Sequence, residues 1–187
     1  MTKRLAVFMD ASNLWAVQKA KGRMFDLAKL KKYLIETHEA SSIKIYYYDA
    51  YPLPATRDHD VSGKHRFYVY LEKALKFIVR KKPLKQIRVE TACGIAIEEK
   101  GNMDVELSID VVNQIKHYDE AIFFTGDSDF LALIRFMHSR KKKVYVYSSR
   151  NNISIELRTG GDGYRDILKI TEDIWGAELR SKGSGAS

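Results

Sequence analysis

Three short segments of this chain put aspartates where an apolar run stops and a new element begins. Phe123-Phe124-Thr125-Gly126-Asp127-Ser128-Asp129-Phe130 closes a run that starts at Ala121, and Leu5-Ala6-Val7-Phe8-Met9-Asp10 ends in the same way before Ala11-Ser12-Asn13-Leu14. Lys100-Gly101-Asn102-Met103-Asp104 opens an apolar helix. Strand ends that lead into helices are where open α/β sheets gather their chemistry. Carboxylates there suit a hard divalent cation, because Mg²⁺ and Mn²⁺ take oxygen ligands. Each acid also has a plainer reading. Asp127, Ser128 or Asp104 can cap the helix that follows, and a strand-terminal Asp can make a turn. Three acids at element ends that could share one sheet edge are harder to explain one at a time.

The elements that must position them alternate strand and helix. Strands are expected at about 4–9, 43–50, 85–91, 120–125 and 144–147, with a short last one near 167–170. The run Ile43-Lys44-Ile45-Tyr46-Tyr47-Tyr48 is rich in β-formers, and its three tyrosines read as core or sheet-face residues. Helices are expected near 26–38, with Asp26 as cap and Leu27, Leu30 and Leu34 on one face, and near 104–117, 129–139 and 172–180. The strongest helical pattern runs over 64–81, where Phe67, Tyr70, Leu71, Ala74, Leu75 and Ile78 recur at steps of three and four before Pro83. This alternation predicts an α/β fold: three layers, with a mainly parallel central sheet and helices on both faces.

The acidic segments resemble the NYN domains, a branch of the PIN-like metal-dependent nucleases. The matching pieces are Phe8-Met9-Asp10-Ala11-Ser12-Asn13, Lys100-Gly101-Asn102-Met103-Asp104 with its helix through Asp110, and Thr125-Gly126-Asp127-Ser128-Asp129-Phe130, in the family's order. The likeness covers roughly residues 3 to 172. Many relatives carry Val where this chain has Met103, a conservative apolar change. The resemblance implies strand order 3-2-1-4-5, which makes strands one and four neighbours and brings Asp10 and Asp127 to one crevice. It also implies that the 92–103 connection carries Asp104 back to that crevice, a point that geometry alone leaves open. The implied activity is cleavage of single-stranded RNA by a metal-dependent endoribonuclease, using one or two Mg²⁺ or Mn²⁺ ions.

On that reading Asp10, Asp104 and Asp127 are the main metal-coordinating acids, directly or through water, because clustered carboxylates repel and a cation relieves them. Asp129 is a secondary ligand or orients one. Asn13 either bonds a metal-bound water or a substrate phosphate, or is simply a turn or cap residue. Asp110 is out of phase with Asp104 on its helix and reads as a packing or hydrogen-bonding residue, and Asp49 is a lesser candidate. The loop from Tyr51 to Lys64 leaves the carboxyl end of strand two. Its Arg57 and His59, with Lys64, His65 and Arg66 at the next helix start, could contact phosphates, and Tyr51 could stack on a base. A solvated loop is the competing reading, as it is for Arg150 and for Lys141-Lys142-Lys143.

Composition sets the frame. At 187 residues the chain supports one core and is short for two α/β domains. One NYN/PIN-like domain over residues 1–180 is expected, with 181–187 as a disordered tail. A net charge of +8 favours polyanionic partners. The one cysteine, Cys93, has no internal partner, which fits a reducing, cytoplasmic location. No run of about 18 apolar residues or signal-peptide pattern occurs, so no membrane span is expected. Oligomeric state is left open, a homodimer included. No P-loop pattern is present, Gly160-Gly161-Asp162-Gly163 lacks the strand-to-helix setting of a dinucleotide fingerprint, and the five histidines lack zinc spacing. Two other classes stay open: an RNA-binding or scaffold module that keeps an acidic crevice without turnover, and an Asp-nucleophile phosphatase. The phosphatase normally needs a second acid two residues after the first, where this chain has Ser12.

Overall fold

The computed structural model describes residues 2–52, 62–91 and 94–179. Its centre is β1 (Arg4–Asp10), whose residues Leu5 to Met9 are all buried. A strand buried on both faces reads as a continuous apolar run rather than an alternating one. On one side β1 pairs with β3 (Ser42–Tyr51) and on the other with β7 (Glu120–Phe124), parallel in both cases. The sheet continues outward to β4 (Ile78–Pro83) beside β3, and to β8 (Lys143–Ser148) and β9 (Gly163–Asp166) beyond β7. All six strands are parallel, in the order β4-β3-β1-β7-β8-β9.

The two faces of this sheet carry separate cores. Leu5, Val7 and Met9 pack with Leu14 and Val17 of α1 (Ala11–Lys21) and with Leu30 and Leu34 of α2 (Leu27–His38). Ala6 and Phe8 point the other way, toward Leu107 and Val111 of α4 (Asp104–Asn113) and Ile134 and Met137 of α5 (Leu131–Ser139). The result is the three-layer arrangement expected from the alternation of elements. Replacing a fully buried leucine such as Leu30 by Ala would cost about 2–5 kcal/mol.

Local signals set the helix ends. Asp26 caps α2 by accepting from the Lys29 N–H at 3.0 Å. Gly22 ends α1 at φ 75°, donating its N–H to the Gln18 carbonyl at 2.9 Å. Helix α1 has no counterpart among the expected elements. Its buried residues are only Asn13, Leu14 and Val17, too few to write an apolar stripe.

Five elements differ from the sequence reading. Helix α3 (Ser62–Lys73) stops well short of 81, and Ile78–Pro83 is strand β4. The apolar spacing misleads because Leu75 and Phe77 stay buried after the helix has ended. The chain turns at Lys76, φ 60°, and Ile78 and Val79 then pair with Tyr46 and Tyr47. Pro83 sits at the end of an edge strand, where a missing N–H does little harm. The segment expected as the third sheet strand is β5 (Lys85–Thr91), which pairs antiparallel with β6 (Gly94–Lys100) outside the main sheet. Strand β4 holds the expected third place, so the 3-2-1-4-5 order stands, with β9 added beyond it. The last strand falls at 163–166 rather than 167–170. In place of a helix at 172–180 there is a short 3₁₀ turn, Glu172–Ile174, and then β10 (Trp175–Glu178). That strand pairs with β2 (Arg23–Phe25), and Trp175 stacks on Phe25 at 4.4 Å between ring centres. The 104–117 helix ends early, at Asn113. Residues 181–187, Arg57, His59 and Cys93 lie outside the described residues.

Candidate functional site: an acidic cleft at the carboxyl edge of the sheet

Parallel neighbours β1 and β7 end at the same level, with Met9 opposite Phe124. Asp10 follows on one strand and Thr125-Gly126-Asp127 on the other. Each acid also caps the element it opens. The Asp10 carboxylate accepts from the Ser12 N–H at 2.9 Å and from the Ser12 hydroxyl at 2.8 Å. Asp127 accepts from the Asp129 N–H at 2.9 Å, opening a 3₁₀ turn over Ser128–Phe130. The Asp127 N–H itself donates to the Thr125 hydroxyl at 3.2 Å. Gly126 is needed for space. A Cβ there would run into the Asn152 carbonyl, and the Gly126 carbonyl accepts from the Ser154 N–H at 3.1 Å.

Asp104 reaches the same place from the opposite layer. It is the first residue of α4, but the cap position belongs to Met103, which makes no side-chain capping bond. The plainer capping reading therefore does not account for Asp104, whose carboxylate accepts instead from the Asn102 amide. A cleft of about 770 Å³ has Asp10, Asp104 and Asp127 in its lining, together with Asn102, Asp49 and Lys64. A smaller recess of about 340 Å³ adjoins Asp10 and Asp127 and is lined by Asn13, Thr125, Gly126 and Asn152.

The electrostatics tie the acids to one another. Burial raises the Asp104 carboxyl above the usual carboxylate range, and the charges of Asp10, Asp127 and Asp129 push it further, against the Asn102 hydrogen bond. Burial also raises Asp10; the bonds from Ser12 and the Asn13 backbone oppose this, and the Asp127 charge adds to it. A cavity whose carboxylates oppose each other's ionisation is chemically suited to a hard cation, which relieves that repulsion. The donors are oxygen throughout, as Mg²⁺ and Mn²⁺ require. As the side chains are turned, no three His, Cys, Asp or Glu groups among the described residues enclose a metal-sized position. Each carboxylate accepts a hydrogen bond from a residue two positions away in its own turn.

The other predicted residues divide. Asn13 is buried, with its amide donating to the Ser148 hydroxyl at 3.1 Å, so it ties α1 to the end of β8 beside the small recess. Asp129 is exposed and lines neither cavity, yet its charge reaches Asp104. Lys64 lines the cleft but pairs with Asp49 at 3.0 Å, and Asp49 also accepts from the Tyr68 hydroxyl at 2.8 Å. Arg66 is exposed on α3 and is not part of the cleft lining. Asp110 is buried and held by Arg80 at 2.9 Å and the Tyr48 hydroxyl at 3.0 Å, the hydrogen-bonding role expected for it. Ser12 and Asn102 hold two of the acids, a role that the sequence reading does not give them. An Asp-x-Ser step is a readable turn signal for the first, whereas Asn102 carries no local sign of its partner.

The fold and the cleft together describe a PIN-like α/β protein with an acidic crevice at its switch point. The sequence profile of the NYN domain family matches residues 4–168, and the chain belongs to that family. The family is generally nuclease-like, acts on nucleic acid and is generally divalent-metal dependent. The chain is similar to the low amplitude and bright protein LabA of Synechococcus elongatus, at 30% identity over 91% of this chain and 87% of that protein. It is also similar in fold to a crystal structure of a protein of unknown function from Vibrio parahaemolyticus. The TM-score is 0.68 at 23% identity, covering 93% of this chain and 96% of that one. No helix among the described residues is long and apolar enough to cross a membrane.

Proposed function

We propose that this protein is a divalent-metal-dependent endoribonuclease that hydrolyses phosphodiester bonds of single-stranded RNA, with residues 1–180 acting as one NYN/PIN-like unit in the cytoplasm. The observation that carries the reading is the meeting of Asp10, Asp104 and Asp127 around one cleft, from two neighbouring strands and a helix on the far layer. Those three acids would hold Mg²⁺ or Mn²⁺, which when bound supplies Lewis acidity and charge neutralisation at the phosphate. Ser12 and Asn102 hold Asp10 and Asp104 in place, and Asp129 adds negative charge at the rim. Asn13 ties α1, the helix that Asp10 caps, to the end of β8. Lys64, with Arg57 and Arg66, would position the RNA backbone over the cleft; the basic chain, at +8, supports a polyanionic substrate.

One observation favours a second reading. The carboxylates are satisfied by their own turns, as suits an RNA-binding or scaffold module with a silent crevice. The test is incubation with labelled single- and double-stranded RNA and DNA in Mg²⁺, Mn²⁺ or excess chelator. The nuclease reading expects metal-restored cleavage of single-stranded RNA. Binding without cleavage of any substrate in either metal supports the module, and cleavage that persists in chelator overturns the metal-dependent reading.

A further inference from the structure

The cleft is only partly acidic. Its lining also has an apolar part, which includes Trp15 of α1, Met24 and Phe25 of β2, Pro52 after β3, and Phe67 of α3. Trp15 stands out because it is 46% exposed, whereas the other tryptophan, Trp175, is 3% exposed. Helix α1 turns Leu14 and Val17 into the core and leaves Trp15 outside it. Met24, also in the cleft wall, is 38% exposed. An exposed indole and an exposed thioether in the wall of one cleft leave apolar surface that the fold does not cover.

Position gives this surface a purpose. Trp15 lies five residues after Asp10 on the helix that Asp10 caps, a rise of about 7.5 Å, which is the scale of one nucleoside. The Lys19 ammonium lies 6.0 Å from the Trp15 ring centre, placing a cation beside an aromatic face. An exposed ring with an adjacent cation is the combination that holds a single-stranded base and its phosphate.

We infer that Trp15 is the stacking platform of a nucleobase subsite in this cleft, so that the protein takes nucleic acid with an unstacked base next to the phosphate that enters the acidic end of the cleft. The inference rests on the proposed function and deepens it by naming a substrate requirement. Bases inside a duplex are stacked on their neighbours and cannot lie on Trp15, so single strands are selected at the binding step. Because every base has a π-face, the subsite is tolerant of sequence.

The experiment uses the full chain and intrinsic fluorescence, which is informative because only Trp15 is open to solvent. A short polyuridine oligonucleotide, the same strand in a duplex, and an abasic oligonucleotide of equal length are each titrated. The titrations are run in excess chelator, and in Mg²⁺ with the Asp127→Asn variant to block turnover. The expected result is quenching and tight binding with the single strand, with little quenching by the duplex or the abasic strand. Trp15→Leu should lose the quenching and weaken single-strand binding by about tenfold, and Trp15→Phe should recover most of the affinity. Far-UV circular dichroism and melting of both variants establish that the fold is kept. Binding that is unchanged in Trp15→Leu overturns the subsite while leaving the nuclease reading intact. Equal quenching by duplex and single strand overturns the single-strand requirement. Failure of every oligonucleotide to bind in both conditions overturns the nucleic-acid reading itself, and leaves the apolar wall as a protein-docking surface.

Discussion

Ser12 holds Asp10 twice, once through its backbone N–H at 2.9 Å and once through its hydroxyl at 2.8 Å. The first bond is a helix cap and the second is not needed for one. The hydroxyl therefore fixes the carboxylate beyond what helix α1 demands, and the two roles of Asp10 can be separated. Asp10→Asn keeps a good N-cap residue, so the melting temperature should stay close to wild type while nearly all turnover is lost. Asp10→Ala should lose turnover and also about 0.5–2 kcal/mol of stability. Ser12→Ala keeps the cap N–H; activity should fall by roughly tenfold with little change in melting. Wild-type rates for Asp10→Asn under single-turnover conditions would mean that the site is elsewhere.

Gly126 makes a sharper structural prediction. A Cβ at this position meets the Asn152 carbonyl, which is backbone and cannot rotate away. Gly126→Ala should displace the 125–127 turn, cost about 1–3 kcal/mol and move Asp127. The expected outcome is a lower melting temperature together with reduced metal affinity, measured by calorimetry with Mn²⁺. An unchanged variant would show that this turn yields easily.

Asp110 belongs to the family-like segment but stands away from the cleft lining, on Arg80 and Tyr48. Its replacement should act on stability and spare metal dependence. Asp110→Asn leaves Arg80 without its charge partner; because Arg80 is about half exposed, the loss is about 1–2 kcal/mol. The Mg²⁺ concentration giving half-maximal rate should be unchanged. A large shift in that concentration would move Asp110 into the site.

A pH effect arises far from the acids. His38 is buried at the end of α2, with Nδ1 3.3 Å from Glu120 and Nε2 3.0 Å from the Tyr147 hydroxyl. Burial lowers its pKa below the usual imidazole value of about 6.5, outweighing the upward pull of Glu120. The unfolded chain then takes up a proton that the folded chain refuses, so stability is full above about pH 6.5 and declines as pH falls below it. His38→Gln should flatten the dependence of melting temperature on pH between about 5 and 7. A slope that survives the substitution belongs to another group.

The parts of this fold that could be read in the sequence are those that one local rule decides. The continuous apolar runs of β1 and β7, the Leu27–Leu30–Leu34 stripe and the Asp26 cap each came out as expected. Boundaries failed where burial outlasts an element. Leu75 and Phe77 are as buried as helix residues although the helix has ended. At the site, Asp10 and Asp127 could be placed because strand ends are marked by composition. Asp104 needed the likeness to a family, because a hairpin of two short strands decides where its helix begins. Trp15 was overlooked because exposure cannot be read from a helix whose apolar residues make no stripe.

The pairing of β1 with β7 joins the first strand of the chain to one made after the midpoint. Loop closure of that span is slow and costly, so such contacts form late in folding. Strand β3 can dock on β1 well before β7 exists, leaving Asp10 at an open sheet edge without its counterpart. During synthesis the nascent chain is therefore an incomplete protein as regards the crevice until Asp127 has left the ribosome and β7 has docked. A chain that ends before residue 120 keeps Asp10, and Asp104 if it reaches that far, but lacks β7, Asp127 and with them the crevice.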